Sequence, residues 1–525
     1  MRHDLCALSD LPPNGLNEVA VGDLKILVAR DGDRVFATGA TCTHKGAPLK
    51  NGQRVGNRVI CPWHHAIFDL ETGDHREPPG QGCLARFTVS VESGRVRVEV
   101  PEGAKPHRPS VTPADRRSGS QRIFAIVGAG AAGLACAKEL VRGGFDGRIV
   151  LFAPEGEPPY DRTDLSKTYL QGKKQDDALP LMDADEIEAL GIELRPVRVE
   201  RIDSTASQLV LDGGERVTFD GCLAAPGSDA SSLDLDGADA PNVLTLRSHG
   251  DAKTLLAHVQ SAQRIVIVGS GFIGMEAAAS LVSLGKAVCV LSRSELPFAK
   301  QFGEEVATQL LATHREKGID VRTGVEVAAL DRQDGRVNGV RLGDGSVVPA
   351  DVVIAATGAQ PRSHLVDGAE RSGKGVKVGA DLRAAGQVFA AGDIAQFTLE
   401  NREPMRIEHW RIAEQQGRHA ARVFLGQAGR FDAIPYFWSA QHGRLSYLGH
   451  ADAFDEVHIE GDLKGNSFTA FYVKDGRILA ALGLGKGDRT PALHAVMLED
   501  PTPSRERLAS VGWDPSRLLR AGLPV

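Results

Sequence analysis

Apolar positions first fall into short runs broken by turn residues, and change period after residue 120. Lys25 to Arg30 and Arg34 to Thr38 are apolar runs joined by Asp31-Gly32-Asp33, and Arg86 to Val91 and Arg95 to Val100 join through Ser93-Gly94. Both pairs read as β-hairpins, so residues 1–103 are expected to form a small all-β domain. Pro101 to Ser120 is rich in Pro, Ser, Arg and Gly without apolar periodicity, and residues 104–120 read as an extended linker.

Strand and helix patterns then alternate. Ile123 to Val127 is an apolar β run, Gly128-Ala129-Gly130-Ala131-Ala132-Gly133 follows at once, Leu134 to Arg142 is helical, and Ile149 to Phe152 is the next strand. The unit repeats as Ile265 to Val268, Gly269-Ser270-Gly271-Phe272-Ile273-Gly274, a helix from Met275 to Leu284, and Val288 to Leu291. Each is a dinucleotide fingerprint in its required βαβ setting: the first two glycines allow the turn and the approach of a pyrophosphate, and the third lets helix and strand pack. The helix N-terminus adds an anion-binding field. A ribose-binding acid is expected just past the second strand, where Glu155 is the candidate. The two units lie about 140 residues apart, the second inserted in the first. The expected domains are 121–247 with 354–425, and 248–353. Pro435 to Ser439, Leu445 to Leu448, Glu456 to Ile459, Phe468 to Val473 and Ile478 to Leu484 predict a sheet followed by helices toward Val525, an α+β domain over 426–525.

The early hairpins frame a donor set. Cys42-Thr43-His44 and Cys61-Pro62-Trp63-His64 pair two cysteines with two histidines, sixteen residues apart. Cys42, His44, Cys61 and His64 suit an iron–sulfur centre in which one iron takes two thiolates and the other two imidazoles. Zinc also accepts two sulfurs and two nitrogens, but its sites usually pair like with like. His65 reads as a partly exposed neighbour. Pro78-Pro79-Gly80 reads either as a cover for the centre or as a surface turn.

Composition narrows the class without deciding it. The 525 residues carry 42% hydrophobic and 25% charged residues, a net charge of -7 and seven cysteines. That is a globular, mildly acidic chain with no signature of nucleic-acid binding. No apolar run is long enough to span a bilayer. The segment from Met1 to Pro13 has no apolar core of a secretion signal, so the reducing cytoplasm is the expected compartment.

The stretch from about Leu5 to Val100 resembles Rieske ferredoxin domains, which implies a [2Fe–2S] cluster. High-potential members carry an extra cysteine in each ligand loop, joined as a disulfide, where this chain has Ala47 and Trp63. They also place a hydroxyl near the sulfurs, where Ala66 and Phe68 stand. Fewer hydrogen bonds to the sulfurs imply a low potential.

Pro159 to Lys167 resembles the corresponding segment of ferredoxin reductases and apoptosis-inducing-factor-like flavoproteins. The whole chain is similar to the Rieske-fused branch of that family. The resemblance implies a multidomain fold: an all-β Rieske domain, two Rossmann-like domains arranged as in glutathione reductase, and a C-terminal α+β domain. It implies that Arg162 approaches the FAD phosphates, Lys167 the isoalloxazine edge and Asp393 the ribityl chain. Glu276 would reach the nicotinamide and pair with Lys167. Ala225-Pro226-Gly227 and Ala356-Thr357-Gly358 match further family segments, and Trp410 opens the helix flanking the flavin or belongs to the core. Phe437 and Trp438 either shield the flavin or are core. After Leu291 comes Ser292-Arg293-Ser294-Glu295; a hydroxyl and the Arg293 guanidinium favour NADPH, and Glu295 keeps NADH open.

The expected function is an NAD(P)H-dependent FAD oxidoreductase that passes electrons to its own low-potential cluster, and on to an oxygenase, a cytochrome, another redox protein or a small molecule. The alternative is a redox-responsive binding protein with a slow nicotinamide charge-transfer complex. A disulfide reductase is disfavoured, since no Cys-x-x-Cys or Cys-x4-Cys pair follows the first fingerprint.

Overall fold

Strand Leu24–Asp31 buries Ile26, Leu27, Val28 and Ala29 in succession. It does so because its sheet is covered on both faces: Ile26 and Val28 enter one core, Leu27 and Ala29 another. The computed structural model, which describes residues 1–400 and 402–520, places this strand in a six-stranded sheet. The order is Arg2–Ala7, Arg95–Glu99, Arg86–Glu92, Arg34–Gly39, Leu24–Asp31 and Leu16–Val21. A four-stranded sheet of Gln53–Val55, Arg58–Ile60, Ile67–Asp69 and His75–Glu77 lies beside it. Cys42 and His44 follow Arg34–Gly39 of the larger sheet. Cys61 and His64 lie in the loop between Arg58–Ile60 and Ile67–Asp69 of the smaller one.

The stretch expected as a linker is extended but held at both ends. His107–Pro109 pairs with Gly82–Leu84, and Arg116 donates to the carbonyls of Phe145 and Gly147 at 2.8 and 2.5 Å.

Two parallel sheets follow, whose central strands are buried almost throughout, as helix-covered sheets require. The first runs Ile192–Arg195, Arg148–Phe152, Ile123–Val127, Gly221–Ala224, Val388–Ala390 and Arg383–Ala385, with only the last pair antiparallel. Strands from both sides of the insertion therefore share one sheet. The second runs Val243–Leu244, Val352–Ala355, Arg264–Val268, Ala287–Leu291 and Asp320–Arg322. Val243–Leu244 lies just before the expected 248–353, and Val352–Ala355 straddles its end.

An antiparallel sheet of Tyr436–Ala440, Arg444–Gly449, Arg477–Leu484, Ser467–Lys474 and Glu456–Asp462 closes the chain, with Tyr436–Ala440 at one edge. Helices Thr490–Met497, Arg505–Ala509 and Pro515–Arg520 follow. The helical expectation beyond residue 520 lies outside the described residues.

The all-β domain is docked, not loose. Ile60 and Ile67 pack on Ala495 of helix Thr490–Met497. Arg411, buried, donates to Pro78 O at 2.7 Å, and Gln415 donates to Glu77 at 2.7 Å. Pro78, Pro79 and Gly80 are accordingly buried, so the surface-turn reading does not hold. His65 is also corrected: it is 0% exposed, stacked on Tyr436 at 4.0 Å between ring centroids, with its Nδ1 3.1 Å from His494 Nδ1. The partner surface that buries it comes from more than 370 residues away in sequence, which no local pattern reveals.

Helix Trp410–Phe424 crosses the fingerprint helix Ala131–Arg142 at Gly417, where an added Cβ would lie 2.0 Å from Ala132 O. Backbone meets backbone there, so nothing flexible can yield. Gly417→Val is expected to cost at least the ~1–3 kcal/mol of an overpacked core, with a lower melting temperature and a lower flavin content. An unchanged melt would contradict this crossing.

Candidate functional site

The candidate cluster site is built from two pairs. Cys42 and Cys61 are buried, share a hydrogen bond between sulfurs, and receive loop amides: His44 and Lys45 to Cys42, Trp63 and His64 to Cys61. His44 Nδ1 and His64 Nδ1 face each other at 3.0 Å. Burial pushes His44 down to about 4 and His64 well below the ordinary histidine range, so both rings are neutral and able to ligate. Among the described residues no three His, Cys, Asp or Glu side chains converge as a single ion would need. A thiol pair beside an imidazole pair fits a two-iron centre better than a tetrahedral zinc.

Three adjoining cavities of about 590, 210 and 560 Å³ run along the reductase half, and Arg162 lines all of them. Gly128, Gly130 and Glu155 line the first; Gly130, Lys167, Glu276, Asp393 and Trp410 the second; Gly271 and Phe272 the third. At Gly130 and Gly271 an added Cβ meets nothing within 4 Å, so a side chain there would occupy the space a dinucleotide needs. Gly128 and Gly269 instead press on carbonyls: a Cβ would come within 2.2 Å of Ala225 O and 2.3 Å of Ala356 O. The two Ala-x-Gly segments thus back the two fingerprints. Gly133 and Gly274 pack against Gly128 O and Gly269 O in the same way. The chain fits two dinucleotides.

Lys167 Nζ lies 2.8 Å from Glu276 Oε2. Glu276 is 2% exposed and also accepts from Ser166 Oγ at 2.5 Å, Ser439 Oγ at 2.7 Å and the Ala440 amide at 3.2 Å. Four donors offset the desolvation of one buried carboxylate, and they come from two distant parts of the chain, Ser166-Lys167 and Ser439-Ala440. Asp393 takes Ser228 Oγ at 2.8 Å and Arg247 at 2.5 Å. Glu155 takes Tyr160 OH at 2.6 Å and Arg162 at 2.5 Å. Trp410 both packs on the first Rossmann core and lines the middle cavity. Arg293 is exposed after strand Ala287–Leu291 and lines none of the three cavities.

Trp438 stands between the candidate ligand histidines and the middle cavity. The Trp438 ring lines the middle cavity, and its centroid lies 4.8 Å from that of His64 and 5.4 Å from that of His44.

Comparison with known proteins agrees with this geometry. Residues 123–417 match the pyridine nucleotide-disulphide oxidoreductase family, residues 1–88 the Rieske [2Fe-2S] domain and residues 436–522 the reductase C-terminal domain. The chain belongs to the pyridine nucleotide-disulphide oxidoreductase family. Apoptosis-inducing factor 3 of Mus musculus is 34% identical over 91% of this chain and 81% of its own. The ferredoxin–NAD(P)+ reductase fdr of a Sphingomonas species is 34% identical over 68% of this chain and 87% of its own. The crystal structure of a covalent putidaredoxin reductase–putidaredoxin complex superposes with a TM-score of 0.72, at 27% identity, over 77% of this chain and 99% of that one. The protein is thus a ferredoxin-reductase-like oxidoreductase that uses FAD and a pyridine nucleotide and carries a Rieske domain with a [2Fe–2S] cluster. Among the described residues no helix is long and apolar enough to cross a membrane.

Family membership does not reveal the joint between Rieske domain and reductase. Sequence reasoning missed Lys45, which ion-pairs with Asp161 and Asp164, and missed Glu414. Glu414 Oε1 accepts from Gln81 at 3.2 Å across the joint, while Oε2 has no hydrogen-bond partner among the described residues. Burial pushes its carboxyl from 4.5 up to about 7. Because the folded value lies above the unfolded one, its contribution is whole in acid and is lost as pH rises through about 7. Between about pH 5 and pH 8, the wild type should lose stability relative to Glu414→Gln in paired thermal melts. Parallel pH profiles would contradict this.

Proposed function

We propose that the protein takes hydride from NADPH and delivers electrons one at a time, through its Rieske domain, to an external one-electron acceptor. When bound, the nicotinamide gives a hydride, the flavin divides the electron pair, and the cluster carries single electrons. Trp438 carries this reading: the ring that walls the flavin cavity touches both candidate cluster histidines. Lys167 presents a cation to the cavity in which a reduced, more negative flavin would lie, and Glu276 fixes its position. Arg162 and the two fingerprint turns suit phosphates. His409 is held neutral, pushed down to about 4 by burial, and stacks on Phe437 at 4.0 Å; together they wall the cavity against water.

The Rieske domain covers the wall at Trp438, so a separate acceptor meets the cluster domain before it meets the flavin. Trp438→Leu is expected to leave the rate of flavin reduction unchanged and to slow cluster reduction by at least about tenfold, read by stopped-flow absorbance. Equal slowing of both steps, or of neither, would contradict the proposed path.

The choice of NADPH rests on Arg293. It stands exposed where the second strand ends, while Ser292 is occupied by Ser270 Oγ at 2.7 Å and Ser294 O at 3.0 Å. Arg293→Ala should lower kcat/KM for NADPH by about tenfold, the worth of a charge-assisted hydrogen bond, and leave NADH unaffected. A wild-type preference for NADH would overturn the choice.

A further inference from the structure

We propose that Lys45 is a positioning residue that sets the cluster loops against Trp438 by gripping a turn of the flavin-binding half. The inference rests on the electron path proposed above, and deepens it. Lys45 follows His44, and its amide points at the Cys42 sulfur. Its side chain leaves the cluster domain altogether: Nζ lies 3.2 Å from Asp161 Oδ2 and 2.7 Å from Asp164 Oδ2. Among the described residues these are the only ion pairs that join residues 1–109 to the rest of the chain. The other polar contacts across the joint run from neutral groups, or from an arginine or lysine to a backbone carbonyl, such as Tyr436 OH to Trp63 O, Arg411 to Pro78 O and Lys138 to Gln81 O.

The acceptor turn is built for two tasks. Asp161 Oδ1 caps it, taking the Thr163 amide at 2.9 Å and its hydroxyl at 2.6 Å, and leaves Oδ2 for Lys45. Asp164 is shared by Lys45 and Lys174, each at 2.7 Å. Both carboxylates are buried, so two lysines balance two aspartates at a joint where screening by salt is weak. The same turn carries Arg162, which lines all three cavities, and leads to Lys167, the partner of Glu276. One face of the turn therefore meets the cofactor space and the other holds the loop of His44. Removing the Lys45 ammonium takes away the attraction that joins the loop to the turn and leaves the aspartate pair undercompensated, so the turn opens toward water and its hold on the loop is lost.

The test uses the full-length protein loaded with FAD and cluster, comparing Lys45→Met, Lys45→Arg and Asp164→Asn. Lys45→Met is expected to leave flavin reduction by NADPH within about twofold and to slow flavin-to-cluster transfer by about tenfold, as a displaced donor–acceptor geometry does. Backbone hydrogen exchange should rise in residues 42–46 and 161–165 together. Lys45→Arg should restore both readouts. Asp164→Asn, which leaves the cluster loop untouched, should reproduce the exchange change if the methionine variant fails to hold its cluster. Wild-type exchange in Lys45→Met and Asp164→Asn overturns the proposal. If the wild-type flavin never reduces the cluster, the electron path fails instead, and exchange alone decides the role of Lys45.

Discussion

The five residues Tyr436–Ala440 form an edge strand whose two faces belong to different halves of the protein. Strand geometry sends alternate side chains to opposite sides. Tyr436 and Trp438 meet the Rieske loops: Tyr436 stacks on His65 and donates to Trp63 O at 3.0 Å, while Trp438 touches His44 and His64. Phe437 and Ser439 meet the reductase: Phe437 stacks on His409, and Ser439 donates to Glu276. A shift of one residue in register would exchange these sets. Both the Glu276 site and the fit of the cluster loops therefore depend on the pairing of this strand with Arg444–Gly449.

Glu276 is the second fixed point. Its donors come from Ser166-Lys167, in the segment after the first fingerprint unit, and from the edge strand, while it sits itself on the helix of the second fingerprint. A buried carboxylate tolerates loss of a donor poorly, so the two Rossmann units and the C-terminal sheet are tied at one point beside the middle cavity. The proposed path runs beside that point, where relative movement of the domains is least tolerated. The docked Rieske domain extends the same logic, since His65 and Arg411 are both buried in the joint, and a domain that swung freely would expose each of them.

Much of this was legible in the sequence, for reasons that differ by element. The fingerprints at Gly128 and Gly269 were readable because strand, glycine turn and helix are contiguous. Lys167 and Glu276, 109 residues apart, were readable only through the family resemblance, and they do lie together. The two Cys–His pairs stood out because each is local in sequence, and the fold brings them together. The joint was not: His65 with His494, Lys45 with Asp164, and Trp438 with His64 connect segments whose spacing carries no periodic signal. The strand Tyr436–Ala440 announced itself as β, but nothing in Tyr-Phe-Trp-Ser says what either face will touch. Glu414 was silent for a related reason, since its helix face becomes an interior only when another domain covers it.

The central claim is that the flavin reduces the Rieske cluster within one chain, and it is tested most directly by electron paramagnetic resonance of protein with a full complement of iron and flavin, frozen after anaerobic addition of NADPH. The account predicts a rhombic signal with a low average g, absent before the nucleotide is added. A reduced flavin with no such signal would contradict it.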